Sequence, residues 1–144
     1  QNQRSGTLWE GRYRSCLVQP GHYLLEVCRY IELNPVRLLL VSHADDYKWT
    51  SFQINAKGKP SALCKPHGEY LKLGETKAEC SEKYQTFCEQ STNKELLKEI
   101  RDSTNKGLAI GDDSFKMEVE KMTGRRVRPL KSGRPFGWRK EKHI

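Results

Sequence analysis

A phenol and a carboxamide four residues apart, Tyr30 and Asn34, are the pair whose types and spacing most readily suggest joint chemistry. With Tyr23 they mark a stripe at spacings of seven and four, close to two turns and one turn of helix, so the two groups project side by side if this stretch is helical. On spacing alone, a helix-borne tyrosine is a packing residue with a tethered hydroxyl. Arg12 and Arg14 are a second set: on one face of an extended stretch they either present guanidinium groups to a phosphate backbone or keep an edge soluble. Cys64 and His67, with Cys80 and Cys88, offer zinc-type donors, but at irregular spacing that suits part-buried thiols as well. The richest set is basic. From residue 124 onward Arg125, Arg126, Arg128, Lys131, Arg134, Arg139, Lys140 and Lys142 face Glu141 alone, so this end carries nearly all of the net charge of +8. A polyanion that meets this end first is the natural partner, and nucleic acid is the commonest polyanion.

The elements that must position these groups are legible from periodicity. Leu24, Val27, Cys28 and Ile31 predict the core face of a helix, which Asn34-Pro35 should interrupt before a short second helix runs from Pro35 to Leu40. Upstream, residues 9–18 alternate and end at Pro20-Gly21, which predicts a strand. Downstream, Asp46 or Thr50 should cap a brief helix anchored by Trp49 and Phe52. Residues 67–73 predict a helix closed by Gly74, and residues 77–90 another with Tyr84, Phe87 and Cys88 inward. Ser91 or Thr92 with Glu95 predicts a capped helix bearing Leu96, Leu97 and Ile100 and stopping before Gly107. Asp112-Asp113 should cap a last helix, with Phe115, Val119 and Met122 on one face and Gly124 at its end. Two short helices about a glycine-bearing turn resemble a helix-turn-helix, an arrangement also common away from DNA.

The last stretch holds Lys131-Ser132-Gly133-Arg134-Pro135 and then Phe136, Trp138, Arg139 and Lys140. Its Gly-Arg-Pro resembles the centre of an AT-hook, with Ser132 where that motif prefers arginine, and thin extended chain of this kind suits a minor groove. Phe136 and Trp138 could stack on unpaired bases of DNA or RNA. A solvated tail without a fixed partner is the plain alternative.

Of 144 residues, 35% are hydrophobic and 31% charged, which describes a polar protein with modest core material. No run approaches the ~18 apolar residues of a membrane span, five cysteines without a CxxC suit reduced thiols, and a cytoplasmic location is expected. The organisation expected is residues 1–57 as one compact unit, 58–66 as linker, 67–123 as a helical DNA-binding-like region and 124–144 as basic tail.

Three runs together carry a family resemblance: LWEGRYRSCLV over residues 8–18, RYIELNPVR over 29–37 and DYKWTSF over 46–52. In order and spacing they resemble the REP-associated tyrosine transposases, which are single-tyrosine HUH enzymes. The likeness covers residues 5–52, with a weaker likeness of 112–126 and the basic end to the C-terminal part of such proteins. It implies an α+β fold, mostly helical in this piece, as the C-terminal part of a ferredoxin-like domain. Tyr30 would be the nucleophile, forming a 5′-phosphotyrosine with single-stranded or hairpin DNA, and Asn34 would lie near a divalent metal, Mg²⁺ or Mn²⁺. DNA-binding roles would fall to Arg12, Arg14, Arg125, Arg126, Arg128, Lys131, Arg134, Trp138, Arg139 and Lys140, in a bacterial, nucleoid-associated protein that is a monomer or dimer. The family's His-x-His pair has no counterpart among His22, His43, His67 and His143, so this chain alone is expected not to cleave DNA, which leaves a non-catalytic DNA binder or domesticated remnant as the alternative.

Overall fold

A computed structural model describes residues 12–130. In chain order these form α1 (His22–Glu32), α2 (Asn34–Arg37), a 3-10 turn (Ala44–Asp46), α3 (Phe52–Asn55), α4 (Gly68–Leu71), α5 (Lys77–Glu89), α6 (Lys94–Lys106) and α7 (Asp113–Thr123). Gly21, at φ 82°, turns the chain into α1 in a conformation that glycine adopts without steric cost. α1 ends at Glu32, and Pro35 falls in the first turn of α2, where a missing N–H leaves no helical bond unmade. That second helix stops at Arg37, three residues earlier than the pattern implies, because Leu39 takes φ 56° and turns the chain aside.

The main apolar cluster joins Ala44, Phe52, Ala56, Tyr70, Cys80, Tyr84 and Cys88, with Leu25, Cys28, Leu33, Val36, Leu73 and Phe87 packed against it. It draws on residues from both sides of the expected 58–66 linker, so one core serves both. α1 does not bury the face expected of it. Ile31 is 56% exposed, whereas Glu26, Arg29 and Glu32 are buried. The inward face runs through Leu25, Cys28, Arg29 and Glu32, and polar satisfaction makes it possible: Glu32 accepts from Ser51 Oγ at 2.6 Å, Asn55 Nδ2 at 2.7 Å and the Tyr84 hydroxyl at 2.9 Å. Arg29 donates to Glu26 at 2.6 Å and to the Phe87 carbonyl at 2.8 Å, with its guanidinium 4.3 Å from the Phe87 ring centroid. Trp49, expected beside Phe52 in the core, is 76% exposed under Lys48, while Phe52 is buried.

The helical expectation holds and the β part does not: among the described residues there is no strand. Residues 9–11 of the expected strand lie outside the description, and 12–17 carry no ladder. A single parallel bridge joins Val18 to Ile110, with Gln19 N donating to the Ile110 carbonyl and Ile110 N to that of Leu17, both at 2.8 Å. Ala109 N donates to the Val127 carbonyl at 3.0 Å on the other side. A strand needs a partner of matching length, and the neighbour here is the few buried residues between α6 and α7.

Those residues also separate this helix pair from a helix-turn-helix. Six residues, 107–112, join α6 to α7, and Leu108, Ala109, Ile110 and Gly111 among them are buried and held on both flanks, whereas the motif uses a turn of about three to four residues. Asn93, rather than Ser91 or Thr92, caps α6 by accepting from Glu95 N at 2.8 Å. Asp112 caps α7 as expected, and Gly107 and Gly124 close the two helices in the left-handed conformation. The second cluster, Ala109, Val119 and Val127 with Phe115, leaves Met122 77% exposed, so that residue does not share the inward face expected for it. A Cβ on Gly111 would stand 2.6 Å from Phe115 and 2.7 Å from Gln19, which explains a glycine at this crossing.

Candidate functional site around Tyr30 and Arg37

Tyr30 lies in the last turn of α1 and is partly exposed, not sealed in the core. The break at Asn34-Pro35 sends α2 on at once, and its last residue, Arg37, reaches back. The Arg37 guanidinium carbon sits 4.4 Å from the Tyr30 ring centroid, a cation-π distance, and its Nη2 donates to the Tyr30 carbonyl. A cation at the end of a helix also meets the partial negative charge of the terminal carbonyls. Arg37 Nε is buried without a hydrogen-bond partner. None of the ion pairs among the described residues includes Arg37. Its pKa is lowered by burial first, then raised by Tyr30, then lowered by two further arginines, Arg101 and Arg29. Arg37 is the cation laid against the phenol ring, and among the described residues only Arg29 of these three arginines has a carboxylate of its own, Glu26.

Asn34, one turn on, opens α2 and is half-buried, its carbonyl accepting from Leu38 N at 2.9 Å. Among the described residues no group of three His, Cys, Asp or Glu side chains could hold a metal ion. The donor set for the metal implied by the resemblance is thus not assembled by these residues, and no step below passes through a metal. The zinc-type quartet does not assemble either. Cys64 is exposed, while Cys80 is buried and donates to the Gly74 carbonyl at 3.4 Å. Cys88 is pushed up to about 12, chiefly by burial and then by Glu32, and His67 Nδ1 accepts from Glu69 N at 3.1 Å as the cap of α4.

Compared with protein-family models, with curated proteins and with solved structures, the chain matches none.

The remaining expected site residues scatter. Arg12 is exposed, and Arg14 donates to the Asn105 side chain near the end of α6, so it helps fix the segment preceding α1. Arg125 and Arg126 are exposed just beyond α7. Arg128 is already engaged: its Nε and Nη2 bond Glu120 at 3.0 and 2.5 Å, and Glu120 also accepts from Val127 N at 2.9 Å. These bonds hold the Glu120 carboxyl down to about 2. Arg128 is thus a latch for the turn after α7 rather than a free cation. Lys131, Arg134, Trp138, Arg139 and Lys140 lie outside the described residues.

Sequence reasoning missed two features. Glu32 was hidden because a carboxylate reads as a solvent-facing residue, although its three donors are spread over Ser51, Asn55 and Tyr84. Arg37 was missed as a neighbour of Tyr30, yet a signal was present, since the proline break at position 35 requires the chain to turn and seven residues bring it back over the same face.

Proposed function

We propose that the chain is part of a DNA strand-transfer protein of the single-tyrosine HUH type, with Tyr30 as nucleophile toward single-stranded or hairpin DNA. The observation that carries the reading is a partly exposed tyrosine with an arginine laid over its ring that has no carboxylate among the described residues, within the RYIELNPVR run that resembles the family. A phenol is a weak nucleophile at neutral pH, and an adjacent cation can hold the phosphate that it attacks. In the step proposed, Tyr30 Oη forms a bond to phosphorus as the bond from phosphorus to the 3′-oxygen breaks. The phenolic proton passes to solvent and the departing oxygen takes one up, leaving a 5′-phosphotyrosine and a free 3′-hydroxyl. The energy of the phosphodiester is retained for rejoining. The ferredoxin-like framework, the divalent metal and the nucleoid location belong to this same reading.

Because the residues present do not assemble a metal donor set, cleavage is expected only when such donors are supplied by additional protein. The test is a labelled hairpin incubated with Mg²⁺ or Mn²⁺ and with a longer protein that carries a His-x-His pair upstream. A covalent adduct mapped to Tyr30 and lost in Tyr30→Phe supports the reading; an adduct at another residue, or none, refutes it. Binding without chemistry is the second reading, and the exposed Arg125 and Arg126 favour it.

A further inference from the structure

Arginine is always charged near neutral pH, and its fork of donors fits two oxygens of a phosphate or carboxylate at once. In folded proteins a half-buried guanidinium therefore has a carboxylate, several carbonyls, or a ligand. Arg29 shows the first two, bonded by Glu26, the Phe87 carbonyl and more distantly the Gln90 carbonyl at 3.4 Å. Arg37, two turns away, has one carbonyl and an aromatic face. Its Nε is buried and has no hydrogen-bond partner among the described residues, which is costly for a charged donor. Arg101, exposed on α6, adds like charge from a second element instead of relieving it. Arg29, the other arginine that acts on Arg37, is already bound to Glu26, and none of the ion pairs among the described residues includes Arg37.

We propose that Arg37 is a binding site for one phosphate group of a nucleic-acid backbone, held against the edge of Tyr30. This rests on the reading of Tyr30 given above for its biological meaning, but not for its chemistry. An incoming oxyanion supplies the acceptors that Arg37 lacks, so a small rotation of the guanidinium off its orphaned geometry is repaid by two charge-assisted hydrogen bonds. Those bonds place phosphorus beside the phenol, which makes Arg37 a positioning residue for Tyr30.

The site is tested on the whole chain with two probes, a short single-stranded oligonucleotide and phenyl phosphate. Oligonucleotide affinity is measured by fluorescence anisotropy over a range of salt, and the Arg37 Nε–H is followed by NMR during titration with either probe. Arg37→Gln is expected to weaken oligonucleotide binding about tenfold and to lower the slope of log affinity against log salt by about 0.7, one single-strand phosphate contact. Arg101→Gln, at an exposed position of α6, should cost about threefold or less. Lys83→Gln removes the same charge from the exposed face of α5 and should change affinity by less than twofold. A shift of the Nε–H with both probes identifies a site for the phosphate group itself; a shift with the oligonucleotide alone places recognition in the nucleic-acid chain and still supports the proposal. Equal affinity and slope in Arg37→Gln, Arg101→Gln and Lys83→Gln, or an unmoved Nε–H, would overturn it. Binding through Arg37 with no covalent adduct in the longer protein would leave the phosphate site standing and remove the nucleophile reading instead.

Discussion

The inner and outer sides of α1 and α2 carry charge under opposite rules. Inward, Glu26, Arg29 and Glu32 are as buried as the apolar core, and each has partners of the opposite kind within hydrogen-bonding distance. Outward, Tyr30 and Arg37 are half-exposed, and the cation there has no carboxylate among the described residues. Burying a charge is tolerable when its bonds are complete, so the inner set is architecture. A cation left incomplete near the surface stabilises little by itself and gains most from a ligand. The contrast separates residues that hold this protein together from residues through which it would act, although all five lie within twelve positions of the chain.

The sharpest way to break that contrast is to remove one charge from each side. Arg29→Met strands Glu26 in the core and should destabilise by about 3–5 kcal/mol in urea titration; a loss under 1 kcal/mol would mean the inner pair is not structural. Glu32→Ala leaves the Tyr84, Ser51 and Asn55 donors without their acceptor and should cost about 3 kcal/mol. Arg37→Gln should cost only about 1 kcal/mol, the size of a cation-π contact plus one hydrogen bond. If the outer substitution proves as damaging as the inner ones, the division between the faces fails.

Acidity sharpens the same point. Burial raises the Glu32 carboxyl above its usual value of 4.5 against the pull of its three donors. Its folded form therefore keeps a proton that the unfolded chain has released, and this contribution to stability falls as pH rises from about 4.5 through the raised value. Glu120 runs the other way, since its folded value is about 2; its contribution is present above 4.5 and is lost as pH drops from there toward 2. Urea midpoints across pH should accordingly lose their decline above 4.5 in Glu32→Gln and their acid-side decline in Glu120→Gln. The smallest effect belongs to Leu39, which is 90% exposed at φ 56°. Leu39→Gly relieves that conformation and should stabilise by up to about 1 kcal/mol; a loss would show that the leucine packs against something in solution.

Helix positions were largely legible, because caps and breakers act locally: Asp112, Gly107, Gly124 and Pro35 each do what their chemistry requires. The facing of α1 was not. Apolar periodicity placed Ile31 inward and could not foresee that Tyr84, fifty-two residues away, would offer its hydroxyl to Glu32. The alternation over residues 9–18 did predict extended chain, but a strand is a property of two segments, and the partner stretch at residues 109–110 is too short. For the candidate site, Tyr30 stood out by motif, while its neighbour Arg37 became evident only from how the chain turns at Pro35.

The Gln19 amide clasps Asp112 from both ends, donating through Nε2 at 2.9 Å and accepting from Asp112 N at 2.8 Å across ninety-three positions. Ring closure over that span is slow compared with helix formation, so the clasp should be among the last parts to set. During synthesis, the stretch ahead of α1 must wait, unattached, until Asp112 has cleared the ribosome.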